Sequence, residues 1–307
     1  MIKTVKKSKN QLFKLSVEDI TARFNYTRRN YYKARLNHDQ EVSSQGKALE
    51  LVQRERAQQS KLSGKKLHSM LSQELVEKGI KMGRDKLYDL LRGHDLLIKR
   101  PKGWTKTTDS NHRFGRYPNL LKNIELNRPN QVYVSDITYI RTLSGFMYLC
   151  LIMDAYSRKI VGWCLHDTLE VEGCLNALDM ALSALSKNER KHLIHHSDHG
   201  VQYCCDAYCK KLKDNGVSIS MAAVGDCYEN AQAERLNGIL KQEYGLGHTI
   251  KNKSIARQLG KQAIELYNTQ RPHLALKMHT PSQVHSGAAK PVVRMGWPKK
   301  TFKHKVA

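Results

Sequence analysis

Through the first hundred residues the apolar positions recur at helical spacing, with no strand-like alternation. Ser16 or Glu18 is placed to start a helix running through Ile20, Phe24 and Tyr31, and a second helix is predicted over Ala48 to Gln59. From Lys65 the residues Leu67, Met70, Leu71 and Leu75 keep the same period; Gly79 interrupts it, and Leu87, Leu90 and Leu91 resume it. Two short helices about a glycine turn outline a helix-turn-helix over 65–92, with Arg84, Asp85, Lys86 and Tyr88 on the exposed face of the second. Plain helical packing produces the same outline, so the pattern alone leaves both readings open.

Residues 101–130 read differently. Pro101, Pro118 and Pro129 punctuate a segment in which Trp104, Phe114 and Tyr117 stand among Lys102, Lys106, Arg113 and Arg116. A basic linker of this kind suits a path along a DNA backbone, or an ordinary solvated connector. After Pro129 strands begin. Gln131 to Arg141 (QVYVSDITYIR) is rich in β-branched and aromatic residues, Ser144-Gly145 makes a turn, and Phe146 to Asp154 followed by Lys159 to Leu165 reads as a hairpin. An amphipathic helix over Glu170 to Leu185 and a short strand over His192 to Ser197 follow, then a helix over Tyr203 to Asn215, a strand over Val217 to Met221 and a helix over Asn230 to Tyr244. Three meandering strands and then alternating helices and strands predict an α/β domain, a mixed five-stranded sheet flanked by helices, behind an N-terminal all-α region.

Charge sharpens that division. The 307 residues carry 52 Lys and Arg against 28 Asp and Glu, a formal charge of +24. It falls in segments: about +16 over 1–130, about −3 over 131–250 and about +11 over 251–307. Proteins this basic commonly hold polyanions, nucleic acid first, because each neutralised phosphate releases condensed counterions. A slightly acidic body between basic arms predicts a catalytic part with separate DNA-holding parts. The longest apolar run, Phe146 to Met153, has eight residues, too few for a membrane span. Lys14, Glu18 and Asp19 stand where a secretory signal needs an apolar stretch, and seven scattered cysteines are not the plan of a small secreted scaffold, so the expected setting is the cytoplasm.

The carboxylates carry the chemistry. Asp136 sits inside the first strand among Val134, Ile137 and Tyr139, where an acid is costly unless paired, hydrogen-bonded or metal-bound. Asp198 ends the fourth strand, and the two strands are neighbours if the first hairpin lies to one side. Two carboxylates brought together repel unless a cation intervenes. A third from the following helix completes a hard-cation site; Glu234 ranks first, Glu229 second, and Asp226 is a further rival in the loop. Lys241 lies two turns beyond Glu234 on the same helix face. Three acids on separate elements of a basic chain suit two-metal phosphoryl transfer on DNA. Asp154, in DAYSRK, reads as a turn former rather than a ligand. Cys204, Cys205 and Cys209 lie near His195, His196 and His199 but lack zinc-site spacing.

The strings SDITYI around Asp136, HSDHGVQY around Asp198 and GDCYENAQAERLNGILKQE around Glu234 resemble the three signature blocks of DDE transposases in the retroviral-integrase superfamily. More narrowly, they resemble the second-reading-frame products of two-frame bacterial insertion sequences. Thirty-five residues separate Asp198 from Glu234, as in that family's pattern, and Lys241 matches its basic residue seven positions beyond the glutamate. DAYSRKIVGW (Asp154 to Trp163) and YNTQRPHLAL (Tyr267 to Leu276) with Thr280-Pro281 extend the likeness, which covers roughly residues 60–285.

The resemblance implies a ribonuclease H-like fold, a metal-binding triad of Asp136, Asp198 and Glu234, and contact of Lys241 with DNA near the scissile phosphate. Arg235, Arg84 and Lys86 are the further candidates for DNA contact. It also implies magnesium, with manganese able to substitute, as a pair of ions. A strand at the element's end is hydrolysed and the freed 3′ hydroxyl then attacks another phosphodiester, with no covalent protein–DNA bond and no nucleotide cofactor. The implied partners are double-stranded DNA at the element ends and target, further copies of this chain in a homo-oligomer, and a first-frame product fused by ribosomal frameshifting. The implied setting is the bacterial cytoplasm, in association with the nucleoid.

The chain departs from retroviral integrases in having no His/Cys zinc spacing before Asp136, and it carries His199 where close relatives often have arginine. The expected division is a helical DNA-binding region over 1–100, a basic linker over 101–130, a catalytic domain over 131–285 and a basic tail over 286–307. One alternative is a non-catalytic DNA-binding regulator or decayed transposase that occupies the element ends without cutting; the presence of all three acids argues against decay. A second is a ribonuclease H-like nuclease without strand transfer, which would share the triad but would not need the N-terminal helices.

Overall fold

The computed structural model describes residues 16–98, 117–122, 124–222 and 231–290, and the backbone of 295–296. The linker's Trp104 and Phe114, the rival acids Asp226 and Glu229, and the lysines of the tail beyond 296 lie outside the described residues.

Helix α1 (Val17–Arg23) starts on a capping box: Ser16 Oγ accepts from Asp19 N, and the Asp19 carboxylate accepts from Ser16 N. The helix expected to run on through Tyr31 stops there instead. Asn25 adopts a left-handed φ of 52°, and Thr27 caps a new helix, α2 (Arg28–Gln58), by accepting from Asn30 N. Phe24 and Tyr31 keep helical spacing across this break, so periodicity could not reveal it. Helix α2 is also longer than the expected Ala48–Gln59, because its buried residues, Ala48, Leu51 and Val52, all lie in the last third and the rest shows no apolar stripe to read.

Helices α3 (Gly64–Glu77) and α4 (Arg84–Gly93) form the expected pair. Their turn is a Schellman close: Gly79 N donates to Val76 O, Ile80 N donates to Leu75 O, and Gly79 has a φ of 68° that a side chain would resist. Leu67, Leu71, Leu75, Ile80, Leu87, Leu90 and Leu91 pack on the end of α2 to make one core.

A two-residue strand, β1 (Glu125–Leu126), pairs antiparallel with β7 (Met295–Gly296). The main sheet comprises β2 (Val132–Thr142), β3 (Gly145–Asp154), β4 (Ile160–His166), β5 (Ile194–Ser197) and β6 (Ser218–Met221), in the spatial order β4-β3-β2-β5-β6. The first three strands meander antiparallel, and β5 and β6 run parallel to β2. This is the mixed five-stranded sheet expected, with the first and fourth strands adjacent. Helices α5 (Val171–Ser183), α6 (Lys187–Lys191), α7 (Val201–Cys204) and α8 (Asp206–Asp214) precede or link the parallel strands. The single helix expected over Tyr203–Asn215 is broken by extended backbone at Cys205. Helices α9 (Ala231–Glu243), α10 (Lys253–Thr269) and α11 (Pro281–His285) follow.

Alternation along β2 sorts side chains to two cores. Val132 and Val134 join Leu236, Ile239 and Leu240 of α9 and Ala256, Ala263 and Ile264 of α10 on one face. Tyr133 joins Ala177, Leu178 and Ala181 of α5 and Tyr208 and Leu212 of α8 on the other. Ser135 Oγ, buried on the Tyr133 side, lies 2.9 Å from His195 Nε2, which Tyr208 Oη also meets at 2.9 Å. Burial pulls that imidazole down to about 3, so the ring stays neutral in the core.

The DAYSRKIVGW segment has a structural explanation. Asp154 is fully buried and accepts from Asn130 N, Ser157 N and Ser157 Oγ, closing the β3–β4 turn as expected of a turn former. Gly162 lets α5 approach β4: a Cβ there would lie 2.1 Å from Ala177 O and 2.9 Å from Ala181 Cβ. Gly162→Ala is therefore expected to push helix from sheet and cost about 3 kcal/mol, read as a lower midpoint in urea unfolding. A midpoint equal to that of the parent would show that α5 can retreat freely. Among the described residues, no helix is long and apolar enough to cross a membrane.

Candidate active site

The parallel ladder sets the height of two acids. Val132 pairs with Ile194 and Val134 with His196, so Asp136, two residues further along β2, and Asp198, the residue after the end of β5, lie toward the same end of the sheet. Asp136 also has the parity of Val132 and Val134, which places it on the face covered by α9. There Asn237 Nδ2 donates to Asp136 Oδ2 at 2.7 Å, while Ile137 N donates to Oδ1 at 2.9 Å. Asp198, just past the end of β5, accepts from Gly200 N at 3.0 Å.

Burial pushes the Asp136 carboxyl up to about 8, and the negative charges of Asp198 and Glu234 push the same way, against the two donated hydrogen bonds. Glu234, in the first turn of α9, is raised as well, by desolvation and then by Asp198. The three acids thus act on one another, although among the described residues no three His, Cys, Asp or Glu side chains converge closely enough to hold a metal ion. Lys241 belongs to the same neighbourhood: burial lowers its ammonium while Asp136 pulls it upward.

Not every candidate gathers here. Arg235 is exposed, about 100° around α9 from Glu234, and its charge acts on Lys66 and His273. Arg84 and Lys86 lie on the exposed face of α4, Arg84 beside Asp85 at 3.0 Å and Lys86 beside Glu41 at 3.6 Å. Sequence reasoning missed Asn237. Its place three residues after Glu234 on the same helix face was the available signal.

The donor set can be tested against a metal. Asp136, Asp198 and Glu234 offer carboxylate oxygens alone, and their mutual repulsion is what a hard divalent cation relieves, so the chemistry of these residues fits magnesium or manganese.

Comparison with known proteins gives a consistent picture. Residues 127–227 and 215–281 match two families both described as integrase core domain. An uncharacterized 31 kDa protein of insertion element IS600 from Shigella sonnei is 38% identical over 214 residues, covering 69% of this chain and 78% of that protein. Transposase InsF for insertion sequence IS3A of Escherichia coli K12 is 32% identical over 205 residues, covering 66% of this chain and 70% of the relative. Among solved structures, the HTLV-2 integrase catalytic core domain in complex with magnesium is 17% identical with a TM-score of 0.41, covering 52% of this chain and 97% of that one.

Proposed function

Because this chain belongs to the bacterial insertion-sequence transposases of the retroviral-integrase superfamily, we propose that it cleaves and joins DNA strands at the ends of its element by metal-dependent phosphoryl transfer. The observation that carries this reading is that Asp136 on β2 and Asp198, just past the end of the neighbouring parallel strand β5, act electrostatically on one another and on Glu234 of α9. Asp136, Asp198 and Glu234 would hold the ions, magnesium or manganese. When bound, they supply charge for the scissile phosphate and an activated oxygen at neutral pH.

The chain's own groups do the rest. Asn237 fixes the orientation of Asp136 through Oδ2, leaving the remaining lone pairs to face the cation. Lys241, half-buried near Asp136, offers an ammonium to a phosphate oxygen of the bound strand. Arg84 and Lys86 on α4 supply phosphate or base contacts within a helical DNA-binding region over 1–100, and the segments 101–130 and 286–307 flank the catalytic part, 131–285, as basic arms. Double-stranded DNA is the substrate, paired ends call for a homo-oligomer, and a frameshifted fusion to a first-frame product is a further form of the protein.

The test uses labelled DNA carrying the junctions that flank this gene, with magnesium, and compares the parent with Glu234→Gln. Cleaved and joined products are expected from the parent, with a loss of about a thousandfold or more in the variant and equal end binding by both. Equal binding and no product from either, even with the first-frame product supplied, would replace this reading with that of a non-cutting regulator.

A further inference from the structure

The segment YNTQRPHLAL has no part in the site just described, yet its arginine is almost fully buried. Arg271 follows α10 and forms a two-pronged pair with Glu243: Nε donates to Oε2 at 2.8 Å and Nη2 to Oε1 at 2.8 Å. Glu243 is the last residue of α9, nine positions and about 13 Å along the axis from Glu234. The same carboxylate takes a third partner from far away in the chain. Lys66 Nζ, on α3, reaches its two oxygens at 2.9 and 3.0 Å, and is itself 5% exposed.

Two further contacts flank this junction. Tyr244 Oη donates to Gln59 Oε1 at 3.0 Å, with Gln59 fully buried, and Ser60 Oγ donates to the Glu243 carbonyl at 3.4 Å. The helical region therefore meets the end of α9 through polar groups, while its apolar core remains separate from the cores on either side of the sheet. Directional polar contacts of this kind define one orientation of the two parts, as a continuous apolar seam does not. The balance of charge makes the joint asymmetric. Two cations share one carboxylate, and burial with the nearby Arg271 draws the Lys66 ammonium down to about 8 although Glu243 opposes this.

We propose that Lys66, Gln59 and Arg271 are positioning residues which, through Glu243 and Tyr244, lock the last turn of α9 to the end of α2 and the start of α3, so that the helices bearing the DNA-contact candidates and the helix bearing Glu234 move as one body. Seating of α3 and α4 on an element end then sets the angle at which Glu234 meets the scissile phosphate. This rests on the transposition reading for its consequence, but the joint itself is a property of the chain alone.

The test is hydrogen exchange of the full chain, free of DNA and metal, comparing the parent with Lys66→Met and Lys66→Arg. Lys66→Met keeps the stem and removes the charge, so the fold is retained, as a midpoint of thermal unfolding close to that of the parent will verify. The amides of 239–243 are expected to exchange about tenfold faster in Lys66→Met and to keep most of their protection in Lys66→Arg. With labelled ends, Lys66→Met is expected to bind within about twofold of the parent but to cleave the bound end about tenfold more slowly in a single turnover. Unchanged exchange at 239–243 overturns the proposal, as does faster exchange with an undiminished cleavage rate. Faster exchange in a protein whose parent also fails to cleave, even with the first-frame product supplied, would instead overturn the transposition reading and leave the joint standing.

Discussion

Asp136→Asn is expected to yield a protein that, without divalent metal at pH 8, withstands heat better than the parent and has lost strand cleavage by about a thousandfold or more. The reason is the position of the acid. Burial and the charges of Asp198 and Glu234 raise its carboxyl from an ordinary 3.8 to about 8. A raised acid binds its proton more tightly in the folded chain than in the unfolded one, so the stability it confers is complete below about 4 and is lost as pH rises through about 8. At roughly 1.4 kcal/mol per pH unit, the ionised form costs the metal-free fold a few kcal/mol at pH 8. The amide removes that cost and keeps its oxygen for the hydrogen bond from Ile137 N. Scanning calorimetry in chelator should show the variant ahead of the parent at pH 8 and the gap closed near pH 4. Added magnesium should then raise the midpoint of the parent and not that of the variant. A gap of the same size at both pH values would mean that Asp136 does not bear this repulsion.

Glu243→Leu should have the opposite effect on stability. The carboxylate stays below its usual range despite burial, because Arg271 and then Lys66 hold it ionised. Removing it leaves an ammonium and a guanidinium, whose side chains are 6% and 3% exposed, facing each other without an anion. Breaking a buried ion cluster from that side typically costs about 3–5 kcal/mol, whereas Lys66→Met, which removes a surplus cation, is expected to be nearly neutral. In a chain of this size that cost corresponds to a drop in unfolding temperature of roughly 5–8 °C. Equal, small losses from both variants would show that water screens the junction and that the three groups are not interdependent.

How much of this was legible beforehand varies from element to element for identifiable reasons. The strands around Asp136 and the helix carrying Glu234 follow from β-branched runs and helical spacing, and their order places the first and fourth strands side by side. The break at Asn25 and the exposed first two-thirds of α2 escaped, since a left-handed residue and a solvated helix leave no apolar period. Helix α10 has no counterpart among the elements the sequence pattern predicts, although the YNTQRPHLAL segment begins within its last turn.

By itself the sequence determined the kind of chemistry. Oxygen donors at Asp136, Asp198 and Glu234, set in a slightly acidic body between basic arms, are the pattern from which a hard-cation site acting on a polyanion is proposed. Only the tertiary structure decided that Asn237 anchors Asp136, that Arg235 is exposed, and that Lys66 shares one carboxylate with Arg271. The physical reason is distance along the chain. Lys66 and Glu243 stand 177 residues apart, and Asn237 and Asp136 stand 101 apart. Local periodicity assigns a residue to a face of its own helix or strand, but which charge meets that face is settled by how separate elements pack, and by the burial that makes each such pairing obligatory.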